Sequence, residues 1–294
     1  MNILITGSSG MIGTALSSKL RKDGHTVFPL LRNQQKGPHY YIQEKNHVHL
    51  DSSVPLDAVI NLAGSNISQS RWSRKVKANI LESRTKTTQA LCAALSELPG
   101  KPQTLLSASA IGYYGTHPTK TFSEFSSAGD DFLARVAVEW EKATAPAEEV
   151  GIRTCHLRFG LVLSPSGGLI KNLLLPFRLA TVGVIGPGTQ MISWISLFDA
   201  VNIMTQLLEK SSFSGPLNLV SNQPCTNREL VKTLSGPINR PALPKIPSGI
   251  VKLMFGEMAD AALLPSAQVI SERITDLDLN LRHKTLNSCL SQIM

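Results

Sequence analysis

The chain has 294 residues, enough for one large domain or two modest ones, and its formal net charge is +8. The charge alone would suit a nucleic-acid-binding protein, but the basic residues are scattered, and the one modest cluster has the pattern of a solvated helix face: Arg71, Arg74, Lys75 and Lys77. We therefore expect no nucleic-acid partner and attribute part of the excess charge to an anionic cofactor and substrate.

The cysteines and apolar runs exclude further classes. No CxxC pair occurs among the four cysteines, Cys92, Cys155, Cys225 and Cys289, so we expect neither a zinc site nor a disulfide framework. We expect all four to be reduced thiols. No apolar run approaches the roughly 20 residues of a membrane span, and no signal-peptide pattern precedes the first strand. These features predict a cytoplasmic protein with no metal and no membrane partner.

The first elements read strand, glycine turn, helix, strand. An uncharged apolar run over residues 2–6 is typical of a parallel strand covered on both faces. A glycine-rich turn over residues 7–13 follows, and the apolar residues then take helical spacing up to Gly24, the expected left-handed C-cap. The second strand covers residues 26–31 and ends at Arg32.

This arrangement predicts a dinucleotide site. Gly7, Gly10 and Gly13 would let the backbone approach a pyrophosphate, and the amides and positive end of the helix would face it. Arg32 suits a ribose 2′-phosphate, where Asp or Glu would bind a 2′-hydroxyl, so we predict NADP(H). The alternatives are an ordinary glycine turn and a solvated charge at Arg32.

Residues 33–55 are polar and include a short predicted strand over residues 47–50. Another buried parallel strand is predicted over residues 57–64, and its last residues are Ala63 and Gly64. At the carboxyl end of a strand, such small residues would let a ligand lie against the backbone. The alternative is a tight turn.

A long helix is predicted over residues 74–98, and Arg84 falls on its apolar stripe. A guanidinium facing a core is costly unless an anion or several acceptors meet it. Arg84 is therefore expected to meet either the cofactor or a buried carboxylate.

Three further elements complete the first half of the chain: a strand over residues 104–109, a helix over residues 132–150 that stops at Gly151, and a sixth strand over residues 153–159. Six strand–helix units predict an α/β fold, a Rossmann-type, doubly wound parallel sheet. Hydroxyl groups at the carboxyl edge of this sheet would lie beside the nicotinamide, which makes Ser109 a candidate catalytic residue.

After Gly160 the pattern changes to Pro- and Gly-rich loops with short helices. Asp199 is predicted to cap a helix carrying residues 201–208, a late strand covers residues 217–220, and Thr226 with Glu229 has the form of a capping box. A Pro-studded connector spans residues 240–248.

The sequence resembles the extended or atypical short-chain dehydrogenase/reductases, in the epimerase-like subfamily of the NAD-dependent epimerase/dehydratase group. The matching stretches are residues 7–13, 61–64, 71–72, 83–84, 107–115, 140–141, 175–177, 193–195 and 255–258. The resemblance implies an NADP-binding domain over residues 1–160, to which residues 195–225 return, and a small C-terminal α+β substrate lobe over residues 161–294. It implies cofactor contacts from Gly7, Gly10, Ile12, Gly13, Arg32, Leu62, Ala63 and Arg84, and further ones from Asn79 and Val162.

One departure from the family concerns catalysis. The superfamily uses a Tyr-x-x-x-Lys helix in which Lys lowers the pKa of Tyr. Here only Tyr41 has a lysine four residues later, at Lys45, and it precedes the relevant strand, so we interpret this pair as irrelevant; residues 132–137 offer neither partner. Ser109 and Tyr113, or the neighbouring Tyr114, are the remaining catalytic candidates, although the tyrosines suit a core role equally. Ser196 stands where the subfamily usually has His.

Two functions follow. The first is an NADP(H)-dependent oxidoreductase or epimerase acting on an unidentified small substrate, such as a nucleotide sugar. The second is a sensor or regulatory protein that binds NADPH without turnover, as the missing Tyr-Lys pair would explain. Either would be a monomer or a homodimer.

Overall fold

The computed structural model describes residues 1–33, 37–68, 70–168, 183–210, 212–235 and 243–293. The strands are β1 (Asn2–Thr6), β2 (Thr26–Arg32), β3 (His39–Ile42), β4 (His47–Leu50), β5 (Ala58–Asn61), β6 (Thr104–Ala110), β7 (Thr121–Phe122), β8 (Arg153–Phe159), β9 (Leu161–Leu163), β10 (Gly183–Ile185), β11 (Met191–Ile192), β12 (Trp194–Ser196), β13 (Gly215–Leu219), β14 (Cys225–Thr226), β15 (Leu243–Ile246) and β16 (Gln268–Val269). The helices are α1 (Met11–Lys22), α2 (Arg74–Glu97), α3 (Phe132–Lys142), α4 (Ala145–Glu149), α5 (Leu197–Glu209), α6 (Asn227–Ser235), α7 (Ser248–Phe255), α8 (Glu272–Asp276) and α9 (Leu286–Ile293).

Eight strands form the central sheet in the order β13-β8-β6-β5-β1-β2-β3-β4. Every pairing is parallel except that of β3 with β4. The predicted Rossmann-type, doubly wound sheet is confirmed. Because the strand order reverses between β1 and β5, a crevice for a ligand opens there at the carboxyl edge.

The alternation of side chains along β1 divides the core into two layers. Ile3 and Ile5 pack toward α1 and α5, whereas Leu4 packs with side chains of α2 and α4 on the other face. Both faces of the strand are buried, as its continuous apolar run predicts. Gly24 has φ +84° and follows the end of α1, which confirms the predicted left-handed termination.

The single helix predicted over residues 132–150 is wrong. The structure has two helices, α3 and α4, separated at Ala143 and Thr144. Pro146 lies in the first turn of α4, where its missing N–H is tolerated; within a continuous helix it would remove a hydrogen bond. The predicted strand over residues 57–64 is also shorter, since β5 ends at Asn61.

Asp199 is not the cap of α5. Ser196 is the N-cap, and its Oγ accepts a hydrogen bond from the Asp199 amide at 3.0 Å. The Asp199 carboxylate is buried and accepts hydrogen bonds from the amides of Arg282 and His283. The imidazole Nδ1 of His283 lies 2.8 Å from Ser196 Oγ, so a histidine approaches this position from the C-terminal segment.

The capping box at the start of α6 is confirmed, because Thr226 and Glu229 exchange side-chain and backbone hydrogen bonds. In the predicted connector, residues 243–246 form β15, and residues 240–242 lie outside the described residues. The motif at residues 175–177 also lies outside them. Among the helices that the structure describes, none is both long and apolar enough to cross a bilayer.

Candidate functional site

Two glycines of the turn between β1 and α1 have no room for a side chain. Gly7 has φ +65°, and a Cβ there would lie 2.5 Å from the carbonyl oxygen of Leu62. A Cβ on Gly13 would collide with the carbonyl oxygen of Gly7. Gly10 is the N-cap of α1 and supplies no capping side chain, so the first amides of the helix have no such partner. Unpaired amides at a helix N-terminus are a phosphate-binding arrangement.

A buried polar cluster fixes the neighbouring loop after β5. Thr6 Oγ1 donates to Asn61 Oδ1 at 2.7 Å and accepts hydrogen bonds from the amides of Leu62 and Ala63, both at 3.0 Å. Asn61 Nδ2 donates in turn to Thr88 and Ser107. Neither Thr6 nor Asn61 was predicted as a site residue, although residue 61 opens the matching stretch 61–64. The signal for both is a polar residue at the carboxyl end of an apolar strand.

Arg32 is exposed at the carboxyl end of β2, on the side of β1 opposite to β5. It pairs in register with Tyr41 of β3. Its side chain makes no hydrogen bond or ion pair with the described residues. The exposed position of Arg32 makes its guanidinium accessible to a ligand at this edge.

Arg84 is largely buried on α2, and its charge meets no carboxylate among the described residues. Nη1 donates to the carbonyl oxygen of Ile80 at 2.9 Å, and Nη2 donates to that of Ser65 at 3.0 Å. The guanidinium carbon lies 5.0 Å from the centre of the Trp140 ring. Burial lowers the pKa of Arg84 to about 10. The sequence predicts either the cofactor or a buried carboxylate as the partner of Arg84. Among the described residues, no carboxylate binds it.

Three further predicted contacts occupy different environments. Ile12 is partly buried in the first turn of α1, and Asn79 is exposed on α2. Val162 is buried in β9, paired with Ile195 of β12, and its side chain belongs to the core. Val162 can therefore meet a ligand only through its backbone.

Ser109 is 2 % exposed, and its hydroxyl binds a side chain of the protein. Oγ donates to Glu141 Oε1 at 2.7 Å. The same carboxylate binds Arg158 through two hydrogen bonds of 2.8 Å, from Nε and Nη2. Burial disfavours the Arg158 cation, but the hydrogen bonds and charge of Glu141 outweigh this, so the pKa of Arg158 is raised. Ser109 thus belongs to a buried ion-pair cluster beneath α3.

The tyrosines after β6 pack on the same cation. The guanidinium carbon of Arg158 lies 3.5 Å from the centre of the Tyr113 ring, and Nη1 donates to the Tyr114 hydroxyl at 2.9 Å. Tyr114 donates to Asn218 Oδ1 at 2.7 Å, and its burial raises its pKa. Tyr114 is therefore an interior residue, whereas Tyr113 is partly exposed. A charged residue within an apolar strand was the sequence signal for Arg158.

The helix expected to carry Tyr-x-x-x-Lys has Phe132 and Val136 at that spacing, and both contribute to an apolar cluster with Ile80 and Trp72. Tyr41 lies in β3 near the far edge of the sheet, and its hydroxyl donates to Asn46. The Tyr41–Lys45 pair is thus remote from β6.

In the parts of the chain that the structure describes, no three His, Cys, Asp or Glu side chains come together as metal ligands.

Two family models match the chain. The NAD dependent epimerase/dehydratase family covers residues 3–219, and a domain of unknown function, DUF1731, covers residues 246–293. The epimerase family protein Mb2239 of Mycobacterium bovis is 36 % identical over 98 % of this chain and 96 % of its own.

Solved structures of epimerase family proteins have the same fold as this chain. The structure of human epimerase family protein SDR39U1 (isoform 2) with NADPH matches with a TM-score of 0.90 and 32 % identity, over 100 % of this chain and 99 % of that one. The UDP-glucose 4-epimerase of Thermotoga maritima with UDP-glucose matches with a TM-score of 0.75 over 100 % and 97 % of the two chains, but at 17 % identity that likeness concerns the fold alone.

Proposed function

The chain belongs to the NAD-dependent epimerase/dehydratase family, and on this premise we propose that it binds NADP(H) and acts as an oxidoreductase or epimerase on a small substrate. The observation that carries the proposal is the glycine turn. A Cβ at Gly7 or Gly13 would clash with the backbone of Leu62 or of Gly7, so the turn requires glycine at both positions. The turn leads into the uncapped N-terminus of α1, whose amides fit a pyrophosphate.

The cofactor would lie along the carboxyl edge of the sheet. Gly7, Gly10, Ile12 and Gly13 would hold its pyrophosphate, and Leu62 and Ala63 would line its path; these two are held in place by Thr6. Asn79, Arg84 and the backbone of Val162 would complete the site. The human relative solved with NADPH supports this choice of cofactor.

Bound NADPH would supply a hydride to a substrate carbonyl carbon; for an epimerase, bound NADP+ would accept the hydride from a sugar carbinol carbon and return it to the resulting carbonyl. The protein must then manage the accompanying proton without Tyr-x-x-x-Lys. Tyr113 is the better placed of the two catalytic candidates, since its side chain is partly exposed and its ring contacts the Arg158 cation. Ser109 would act through Glu141, which orients Arg158. A nucleotide sugar is the substrate class that the family suggests.

Titration of the wild type with NADPH and NADH tests the proposal. We expect tighter binding of NADPH, and Arg32→Ala should weaken it about 10- to 100-fold while NADH affinity stays the same, the size of one lost charge-assisted hydrogen bond. Arg21→Ala, which removes an exposed arginine at the end of α1, is the matched control. Equal affinities of the wild type for the two cofactors would contradict the proposal.

A second function, an NADPH-dependent sensor without turnover, is favoured by one observation. Phe132 and Val136 fill the Tyr-x-x-x-Lys spacing with apolar packing. A panel of ketones, aldehydes and nucleotide sugars separates the two functions: tight NADPH binding with no turnover of any member supports the sensor, and a Tyr113-dependent turnover supports the enzyme.

A further inference from the structure

We propose that Asn33 is a specificity-determining residue for the cofactor, because it fixes Arg32 in position to bind a 2′-phosphate. The inference rests on the proposed function, in which Arg32 recognises NADP(H). It concerns a different residue, one that need not touch the cofactor.

Asn33 has a left-handed backbone conformation directly after Arg32. Its φ is +52°, in the left-handed region that side chains other than Gly, Asn and Asp rarely adopt. A residue in this conformation cannot continue an extended strand. The left-handed residue therefore makes Arg32 the last residue of β2.

Two hydrogen bonds tie Asn33 to the hairpin formed by β3 and β4. Its backbone amide donates to the carbonyl oxygen of Tyr41 at 2.8 Å, and its Oδ1 accepts a hydrogen bond from the amide of Gln43 at 2.9 Å. Tyr41 is also the residue that pairs with Arg32 in register. The backbone on both sides of the Arg32 Cα is therefore held by the hairpin.

Arg32 itself has no such restraint on its side chain from the described residues. The long side chain loses rotamer freedom when it binds a phosphate, so a rigid backbone beneath it reduces the entropy that binding must overcome. The 2′-phosphate distinguishes NADPH from NADH, and a defect in placing Arg32 should weaken only the first. This difference separates a positioning residue from one that merely stabilises the fold.

The chain offers a matched control in the same hairpin. Asn46 also has a left-handed backbone, with φ +45°, and its Oδ1 also accepts a hydrogen bond, from the Tyr41 hydroxyl at 3.0 Å. Asn46 ends the short 3₁₀ turn Gln43–Lys45 and is 14 residues from Arg32 along the chain. Asn46→Ala imposes the same backbone strain and loses a comparable hydrogen bond without altering the residue next to Arg32.

The experiment measures dissociation constants for NADPH and NADH by calorimetric titration of Asn33→Ala, Asn33→Gly, Asn46→Ala and Arg32→Ala. Asn33→Ala should weaken NADPH binding by about 10-fold and leave NADH binding unchanged, a partial loss of the Arg32 interaction. Asn33→Gly keeps the left-handed backbone and should fall between Asn33→Ala and wild type. Asn46→Ala should leave the ratio of the two constants at its wild-type value.

Different outcomes separate the inference from the proposed function. If Arg32→Ala lowers the NADPH preference and neither Asn33 variant does, the inference is wrong and the proposed function stands. An equal loss of NADPH and NADH affinity in Asn33→Gly would also overturn it, since that is a general effect on the fold. If Arg32→Ala leaves the preference unchanged, the 2′-phosphate assignment fails and the inference with it.

Discussion

Ser109 donates its hydroxyl hydrogen to the carboxylate of Glu141, with 2.7 Å between Oγ and Oε1. The hydroxyl that the sequence predicts as a catalytic candidate beside the nicotinamide thus binds a buried carboxylate. Glu141 forms an ion pair with Arg158. The Arg158 guanidinium in turn contacts both tyrosines of the turn that follows β6. The carboxylate therefore links β6 and β8 near their carboxyl ends.

The first prediction concerns this carboxylate. Glu141→Gln should lower the free energy of unfolding by about 3–5 kcal/mol, because it leaves the Arg158 cation buried without a counter-charge. Arg158 is only 4 % exposed and Glu141 11 %. Urea denaturation measures the change. Glu139→Gln, which breaks an exposed ion pair with Lys142 on the same helix, should change it by less than about 1 kcal/mol. A Glu141→Gln variant as stable as the control would contradict the assignment.

The second prediction concerns the glycine turn. Gly10→Val should abolish NADPH binding while the protein still folds. Gly10 has φ −74° and ψ 169°, which any residue adopts, and a Cβ there would lie 3.3 Å from the carbonyl oxygen of Gly7, a tight contact but not a collision. The branched side chain would occupy the phosphate path. Circular dichroism and titration check both parts. Gly100→Val is the control, since a Cβ there meets open space. Unchanged NADPH affinity in a folded Gly10→Val protein would show that the turn is structural.

The third prediction concerns Arg84, whose guanidinium binds two backbone carbonyls and lies on Trp140. Arg84→Met should weaken NADPH binding by about 10-fold, the lower end for a charge-assisted contact. Arg84→Lys should not restore it, because a single ammonium cannot reproduce the planar fork. Lys86→Met, on the same helix and exposed, is the control. If Arg84→Met binds NADPH normally but melts at a lower temperature, the residue serves packing alone.

The fourth prediction concerns pH. Burial raises the pKa of Cys92, Cys225 and Cys289 to about 12 and that of Cys155 to about 11. Unfolded thiols ionise near pH 9.0, so above that pH the folded protein holds more protons on its thiols than the unfolded protein does. The stabilisation from neutral thiols is therefore present below pH 9.0 and lost as the pH rises toward 12.

Alkylation provides the measurement. The native protein at pH 8 should react with iodoacetamide far more slowly than the urea-unfolded protein, and the midpoint of urea denaturation should fall between pH 9 and pH 11. Rapid labelling of any cysteine in the native protein would contradict the burial of all four.

The first strand, turn and helix could be predicted because their signals are local: an apolar run, three glycines at fixed spacing and Gly24 after the helix. The break between α3 and α4 was missed because the apolar stripe continues past Pro146. At α5, Ser196 and Asp199 are both capping residues, and only the geometry of the entering strand selects the first.

The cluster at Arg158 could not be predicted from spacing. It requires β6 and β8 to pair so that Ser109 lies opposite Arg158, and α3 to place Glu141 above both. These residues are far apart in the chain, and no short sequence motif indicates that their side chains are in contact. The division at residue 160 and the roles of the individual site residues stay predictions.

The position of β13 beside β8 affects how the protein can be made. During synthesis the ribosome releases β8 more than 50 residues before β13. Until then β8 is an edge strand with unpaired amides, and the apolar face that Ile203, Met204 and Leu207 later cover is open to solvent. A nascent chain in that state can aggregate, so chaperone demand should peak before residue 219 emerges. A message truncated near codon 160 should yield an insoluble product rather than a free nucleotide-binding domain.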